Sequence, residues 1–246
     1  PNVARLTVRL VEKRLVTEGQ RIVDESRYQV SLQRLLGEVG PEWTGEVTGP
    51  PQLFPATTVD VLLAGQTMQV FDKSNQPRWS AKLAFPVAPR FAWPASAERA
   101  PCLEHGDSLY VFDQGTLTAF DAANGNVRWQ WPTAGIDRVR CDRAGMLYVV
   151  TRAAGALHKV DARTGRILWR TDGLGDDCRL SGKFVYAVET GLATGAPLRV
   201  WRLNPRNGRV IWEYEAVQGA RALAFQENTF VVGFPEGLQV LRFPTF

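Results

Sequence analysis

Histidine and methionine are scarce, at two residues each among 246, and cysteine occurs only three times. With so few imidazoles, no His-Glu-x-x-His run and no defensible Ser-His-Asp spacing, the residues offer neither a zinc-protease centre nor a serine triad. An odd number of cysteines excludes a complete disulfide framework. No run of 18 apolar residues occurs, so no segment reads as a membrane-spanning helix. No basic-then-apolar leader opens the chain. A large excess of one charge is missing as well: 29 Lys and Arg against 25 Asp and Glu leave a net charge of +4. That balance does not require a nucleic-acid partner, and no nucleic-acid module signature is present. The chain starts at Pro1 rather than Met. It is therefore read as a mature product or excised segment, a monomeric domain of a longer chain with room for an upstream anchor.

What the sequence does have is glycine (22), proline (15) and tryptophan (8), a mixture suited to short strands and tight turns. Four tryptophans close four similar segments: MQVFDKSNQPRW (68–79), LTAFDAANGNVRW (117–129), LHKVDARTGRILW (157–169) and VWRLNPRNGRVIW (200–212). Trp79, Trp129, Trp169 and Trp212 are thus spaced by 50, 40 and 43 residues. Gly125, Gly165 and Gly208 stand four before the tryptophan, and Asp121, Asp161 and Asn204 stand eight before it. The first copy is one residue shorter, with Asp72 seven before Trp79. Each unit reads as an alternating apolar strand ending at Asp or Asn, a turn with glycine near its tip, and a second strand running into the tryptophan.

A matching pair of strands precedes each of the later units. CLEHGDSLYVF (102–112), CDRAGMLYVV (141–150) and CRLSGKFVYAV (178–188) each place glycine four after cysteine, and AFQENTFVVGF (224–234) has Ala224 in the cysteine place. Four short strands in about 40 residues make one propeller blade. No 3.6-residue apolar stripe supports a helical repeat. The expected architecture is an all-β propeller of four-stranded antiparallel blades, five to six in number, forming a single domain over 1–246. Clear blades are expected at 52–83, 100–131, 137–171 and 177–215, with an incomplete blade at 221–246. Residues 1–50 are expected to form a degenerate blade or to lend closing strands.

These segments resemble the tryptophan-docking repeats of the PQQ-like β-propellers, strongly over 100–246 and fairly over 52–83. That family includes quinoprotein dehydrogenases and the lipoprotein scaffold of the outer-membrane β-barrel assembly machine. The resemblance implies an exported, periplasmic or extracytoplasmic protein. Its enzymes use a pyrroloquinoline quinone resting on Trp, a calcium ion, a catalytic Asp and often an adjacent Cys-Cys pair. No Cys-Cys pair exists here, and no residue carries over from their active sites. No catalytic, metal-binding or cofactor-binding residue is therefore assigned.

One tryptophan per repeat suits a plug between neighbouring blades better than a platform for one central ligand. Cys102, Cys141 and Cys178, one blade apart, read as a single buried position written three times, too widely spaced for a zinc site or a disulfide. Asp121 and Asp161 are expected to cap their turns, and Asp176-Asp177 to form a solvated turn. The arginines of the third and fourth blades are expected on solvent-facing strands. Candidates for partner contact are Phe91 and Trp93, in the Pro- and Ala-rich connection 84–99, and the basic residues Arg138 and Arg140. The favoured reading is a non-enzymatic domain that binds a protein or peptide. The alternatives are a quinoprotein dehydrogenase fragment and an extracytoplasmic ligand-sensing domain.

Overall fold

A computed structural model describes residues 4–18, 21–34, 43–87, 100–133, 135–152, 155–189, 198–216, 220, 222–226, 229–235 and 237–242. Every regular element among them is a β-strand, and every paired strand runs antiparallel. The fold is an all-β assembly of propeller-type blades. It divides into two compact units, Pro1–Ala134 and Gly135–Phe246.

The first unit opens with a three-stranded sheet of β1 (Ala4–Glu12), β4 (Arg27–Arg34) and β5 (Trp43–Thr48). A small hairpin of β2 (Leu15–Glu18) and β3 (Arg21–Asp24) lies between β1 and β4 in sequence. Two four-stranded meanders follow. One is built from β6 (Pro51–Pro55), β7 (Val59–Ala64), β8 (Thr67–Asp72) and β9 (Pro77–Lys82). The other comprises β10 (Cys102–His105), β11 (Ser108–Phe112), β12 (Thr116–Asp121) and β13 (Val127–Pro132). The second unit repeats the plan. Its first meander is β14 (Ile136–Cys141), β15 (Met146–Thr151), β16 (Ala156–Asp161) and β17 (Ile167–Thr171). The second is β18 (Asp177–Ser181), β19 (Phe184–Glu189), β20 (Arg199–Leu203) and β21 (Val210–Glu215). A three-stranded sheet of β22 (Ala222–Gln226), β23 (Thr229–Phe234) and β24 (Gly237–Arg242) completes it.

Burial follows strand position. The second strands are sealed on both faces: Val59–Ala64 and Ser108–Phe112 are buried throughout. Runs such as VDVLLA and SLYVF are accordingly continuous apolar stretches rather than alternating ones. The fourth strands read exposed, exposed, half-buried, exposed, half-buried, exposed in β9, β13 and β21. That is the alternation of an outer strand with one face on the protein.

Sheets within each unit pack face to face through apolar layers. Val61, Val70, Leu109 and Val111 fill the layer between the two meanders of the first unit. Tyr148, Leu157, Cys178 and Leu203 do so in the second. Tyr186, Val200, Phe230 and Val232 join the last two sheets. Burial of side chains of this size contributes about 1.5–3 kcal/mol each, which makes these layers the main cohesive force.

The cysteine rows depart in part from expectation. Cys102 pairs with Val111 and Cys178 with Ala187, equivalent positions in their sheets. Cys141 pairs with Leu147, at the end of its strand and nearer the turn. The reason is turn length. Two residues link β10 to β11 and β18 to β19, but Asp142–Gly145 makes a four-residue link between β14 and β15. In the last sheet Leu223, which pairs with Val232, takes the register place expected for Ala224.

Candidate functional site

The repeat turn is assembled from short-range hydrogen bonds. Asp121 Oδ1 accepts from the amides of Ala123 (2.9 Å) and Asn124 (3.3 Å), and Asp161 Oδ1 from Arg163 (2.9 Å) and Thr164 (3.1 Å). Asn204 Oδ1 accepts from Arg206 N at 2.9 Å, and Asp72 Oδ1 from Ser74 N at 2.7 Å. The amides of Gly125, Gly165 and Gly208 return to the carbonyls of Asp121, Asp161 and Asn204 at 2.8–2.9 Å. Closing the turn this way puts the glycines at φ of 76°, 71° and 72°, a region that strains any residue with a Cβ. The shorter first copy solves the same problem with Asn75, at φ 60°, whose amide bonds Asp72 O at 3.1 Å. Asn75 also stands four before its tryptophan, so the spacing that marks the glycines marks it too.

Glycine has a second task. Trp79 Nε1 donates to Ala122 O of the next sheet at 3.0 Å, and its ring lies over Gly125. A Cβ at Gly125 would stand 2.5 Å from Trp79 Cε3. In the second unit Trp169 Nε1 donates to Pro205 O at 3.1 Å, and a Cβ at Gly208 would stand 2.6 Å from Trp169 Cε3. Trp79 and Trp169 are therefore struts: each crosses from the outer strand of one sheet to the hairpin of the next, satisfying its indole N–H there. Trp212 faces a sheet without the motif and instead meets Phe230 edge-on at 5.6 Å. Trp43 meets Phe71 at 4.8 Å from the last strand of the first sheet, a docking position without the glycine spacing.

A different cluster joins the first strands of the two meanders in the second unit. Asp177 side-chain exposure is 2%. Its Oδ2 meets Arg138 Nη1 at 2.9 Å and Arg179 Nη2 at 3.0 Å, and its Oδ1 meets Arg140 Nη2 at 3.5 Å. The Cys178 amide donates to the same Oδ1 at 2.8 Å. Arg138 also lies 3.6 Å from Asp137, which pairs with Arg152 at 2.7 Å. Two sequence expectations are corrected here. Asp177 is a buried strand residue and not part of a solvated turn. Arg138 and Arg140 are turned onto that carboxylate, with side-chain exposures of 10% and 19%, and do not form an open basic patch. An Arg-x-Arg run in one inner strand, 37 to 39 residues before an Asp in the next, could have signalled this pairing across one repeat. Phe91 and Trp93 lie outside the described residues.

Other reactive groups are held quiet. Burial pushes the Cys102, Cys141 and Cys178 thiols up to about 12. His158 is buried beside Thr151 Oγ1 at 3.3 Å, and desolvation lowers its pKa. Arg128 clamps Asp107 and Asp121 at 2.7 Å each, and its hydrogen bonds hold the Asp107 carboxyl at about 2. Among the described residues no three His, Cys, Asp or Glu side chains are grouped to hold a metal ion.

The sequence profile of the family described as outer membrane protein assembly factor BamB matches residues 64–229. The chain belongs to this family. The match spans both units and includes all four tryptophan motifs. The fold is shared with BamB from Moraxella catarrhalis, at 17% identity and a TM-score of 0.51, over 96% of this chain and 86% of that one. It is shared as well with the quinohemoprotein alcohol dehydrogenase ADHIIG from Pseudomonas putida HK5, at 14% identity and a TM-score of 0.50. That alignment covers 77% of this chain and 41% of the dehydrogenase. No curated protein matches the chain. A quinone needs a free aromatic face to rest on. Here the indoles of Trp79 and Trp169 are spent on the neighbouring hairpin, so these repeat tryptophans do not fit that group.

Proposed function

We propose that the chain is a non-enzymatic, extracytoplasmic binding platform that serves outer-membrane protein assembly by holding a protein partner. The observation that carries this reading is the match to the assembly-factor family across four repeats, in which the motif residues are committed to joining sheets. Within each unit the sheets are pinned, by Trp79 in the first and Trp169 in the second, and a stiff surface binds with little ordering cost. The buried Asp177 hub adds an ionic link between neighbouring sheets. High-pKa thiols and turn-capping aspartates suit this role better than catalysis, which needs groups poised to ionise near neutrality.

The test is depletion in the native host, followed by quantification of folded outer-membrane β-barrels by heat-modifiable mobility in gels. The expected result is a fall in folded barrel that the plasmid-borne chain restores. Unchanged barrel levels, together with stoichiometric uptake of pyrroloquinoline quinone and calcium by the purified chain, would overturn the reading in favour of a dehydrogenase.

A further inference from the structure

The two ends of the sheets in the second unit carry different charge. In an up-and-down antiparallel sheet the first and third turns lie at one end and the second turn at the other. The first turns of the two meanders present Arg143 and Lys183, and the third turns present Arg163, Arg166, Arg206 and Arg209. All six residues are exposed. Ala162 N donates to Gly145 O, which ties the two turns of the first meander together. Pro205 O accepts from both Lys159 Nζ and Trp169 Nε1, which brings the hairpin of the second meander beside it. The six cations therefore share one rim.

None of the six forms an ion pair with a described residue, although Lys183 lies over its neighbour Phe184. Only two carboxylates stand at these four turns, and each is engaged by backbone amides of its own turn. Asp142 accepts from the amides of Ala144 and Met146, and Asp161 from those of Arg163 and Thr164. The opposite end is balanced: Arg152 pairs with Asp137, Arg170 with Asp172 and Arg199 with Glu215. The corresponding turns of the first unit are balanced too, since Lys73 is held by Asp60 and Arg128 by Asp107 and Asp121. An unneutralised row of cations on one rim is an anion-seeking surface.

The neighbouring residues indicate what kind of anion. Each arginine hairpin runs directly into two exposed aliphatic residues, Ile167 and Leu168 after Arg166, and Val210 and Ile211 after Arg209. They are 40–54% exposed. Cations beside protruding aliphatic side chains match an interface with charged headgroups above and an acyl boundary below. We propose that this rim docks onto a bilayer surface rich in anionic phospholipid. The proposal is independent of the assembly-factor reading, because it rests on charge and exposure in the second unit alone.

Flotation of the purified full chain with phosphatidylcholine vesicles, with and without phosphatidylglycerol, tests it. Binding is expected only with phosphatidylglycerol and should weaken as salt is raised. Each cation lost should cost roughly fivefold in partitioning, so R163Q/R166Q/R206Q/R209Q should weaken binding by two to three orders of magnitude, about. The smaller variant R143Q/K183Q should lose roughly 25-fold by the same rule. R152Q/R170Q/R199Q, at the opposite end, should stay within about twofold of wild type. Circular dichroism and melting of every variant check that folding is intact, as expected for the six exposed rim side chains without ion-pair partners and for the pairs of the solvent-exposed Arg152, Arg170 and Arg199, which contribute little to stability. Equal binding to neutral vesicles, or equal loss in the opposite-end variant, overturns the proposal. So does capture of polyglutamate by the rim when the vesicles are ignored.

Discussion

Replacing Gly125 by alanine tests the docking of Trp79 in isolation, because a matched control exists in the same unit. Gly106 and Gly125 both sit in the left-handed region, at φ 60° and 76°. Alanine at either site incurs a backbone strain of about 1–2 kcal/mol. It also regains a few tenths to about 1 kcal/mol by restricting the unfolded chain. Those two effects are common to both positions. The surroundings are not. A Cβ at Gly106 meets nothing within 4 Å, whereas one at Gly125 stands 2.5 Å from Trp79 Cε3 and 2.7 Å from Cδ2. The indole must then tilt away, lengthening its 3.0 Å bond to Ala122 O and opening the layer beneath it. Losing that hydrogen bond costs about 1 kcal/mol, and the lost ring contacts cost a similar amount. G125A should therefore be destabilised by about 2 kcal/mol more than G106A. In equilibrium urea unfolding, followed by tryptophan fluorescence and far-ultraviolet circular dichroism, this appears as a midpoint lower by roughly 1 M. Midpoints that agree within error would refute the idea that the glycine is there to seat the tryptophan.

Three further predictions concern charge and titration. D177N removes the carboxylate that holds Arg138, Arg140 and Arg179, and should cost about 3–5 kcal/mol in urea unfolding, since it strands the Arg138 and Arg140 guanidinium groups away from solvent. R128Q should return the Asp107 carboxyl from about 2 to the ordinary range near 3.8, measured by carboxyl-carbon NMR titration. The three thiols, raised from 9.0 to about 12, should resist thiol-disulfide reagents in the native chain at pH 8 and react promptly in urea. Because the unfolded thiols ionise first, stability is complete below pH 9 and should fall as pH climbs from 9 towards 12, read as a falling urea midpoint.

Much of the architecture was legible because the repeat writes local rules in register. Asp at the end of a strand, glycine four residues later and tryptophan four after that encode a capped turn, a left-handed corner and a strut. The turn and the corner depend on neighbours a few residues away, and the strut on the same turn one repeat further on. The Asp177 hub was not legible in the same way. Its partners Arg138 and Arg140 come from another sheet, and alternation along β14 alone suggested a solvent-facing pattern. Packing between first strands decided otherwise, turning both guanidinium groups inward. Cys141 escaped for a related reason: turn length shifts register, and the spacing from cysteine to glycine does not reveal how many residues the turn consumes. Trp43 lacks the glycine signal yet packs against the next sheet, its ring 4.8 Å from Phe71 as that of Trp79 is 5.8 Å from Phe120.

The proposed function is that of a binding platform in outer-membrane protein assembly rather than a catalyst. Chemical cross-linking in intact host cells, followed by purification of the tagged chain and mass spectrometry of its adducts, tests it most directly. An adduct with a component of the outer-membrane assembly machinery is expected, at defined stoichiometry, and weakened in G125A. No such adduct, with a chain that instead takes up quinone one to one and oxidises an alcohol, would contradict it.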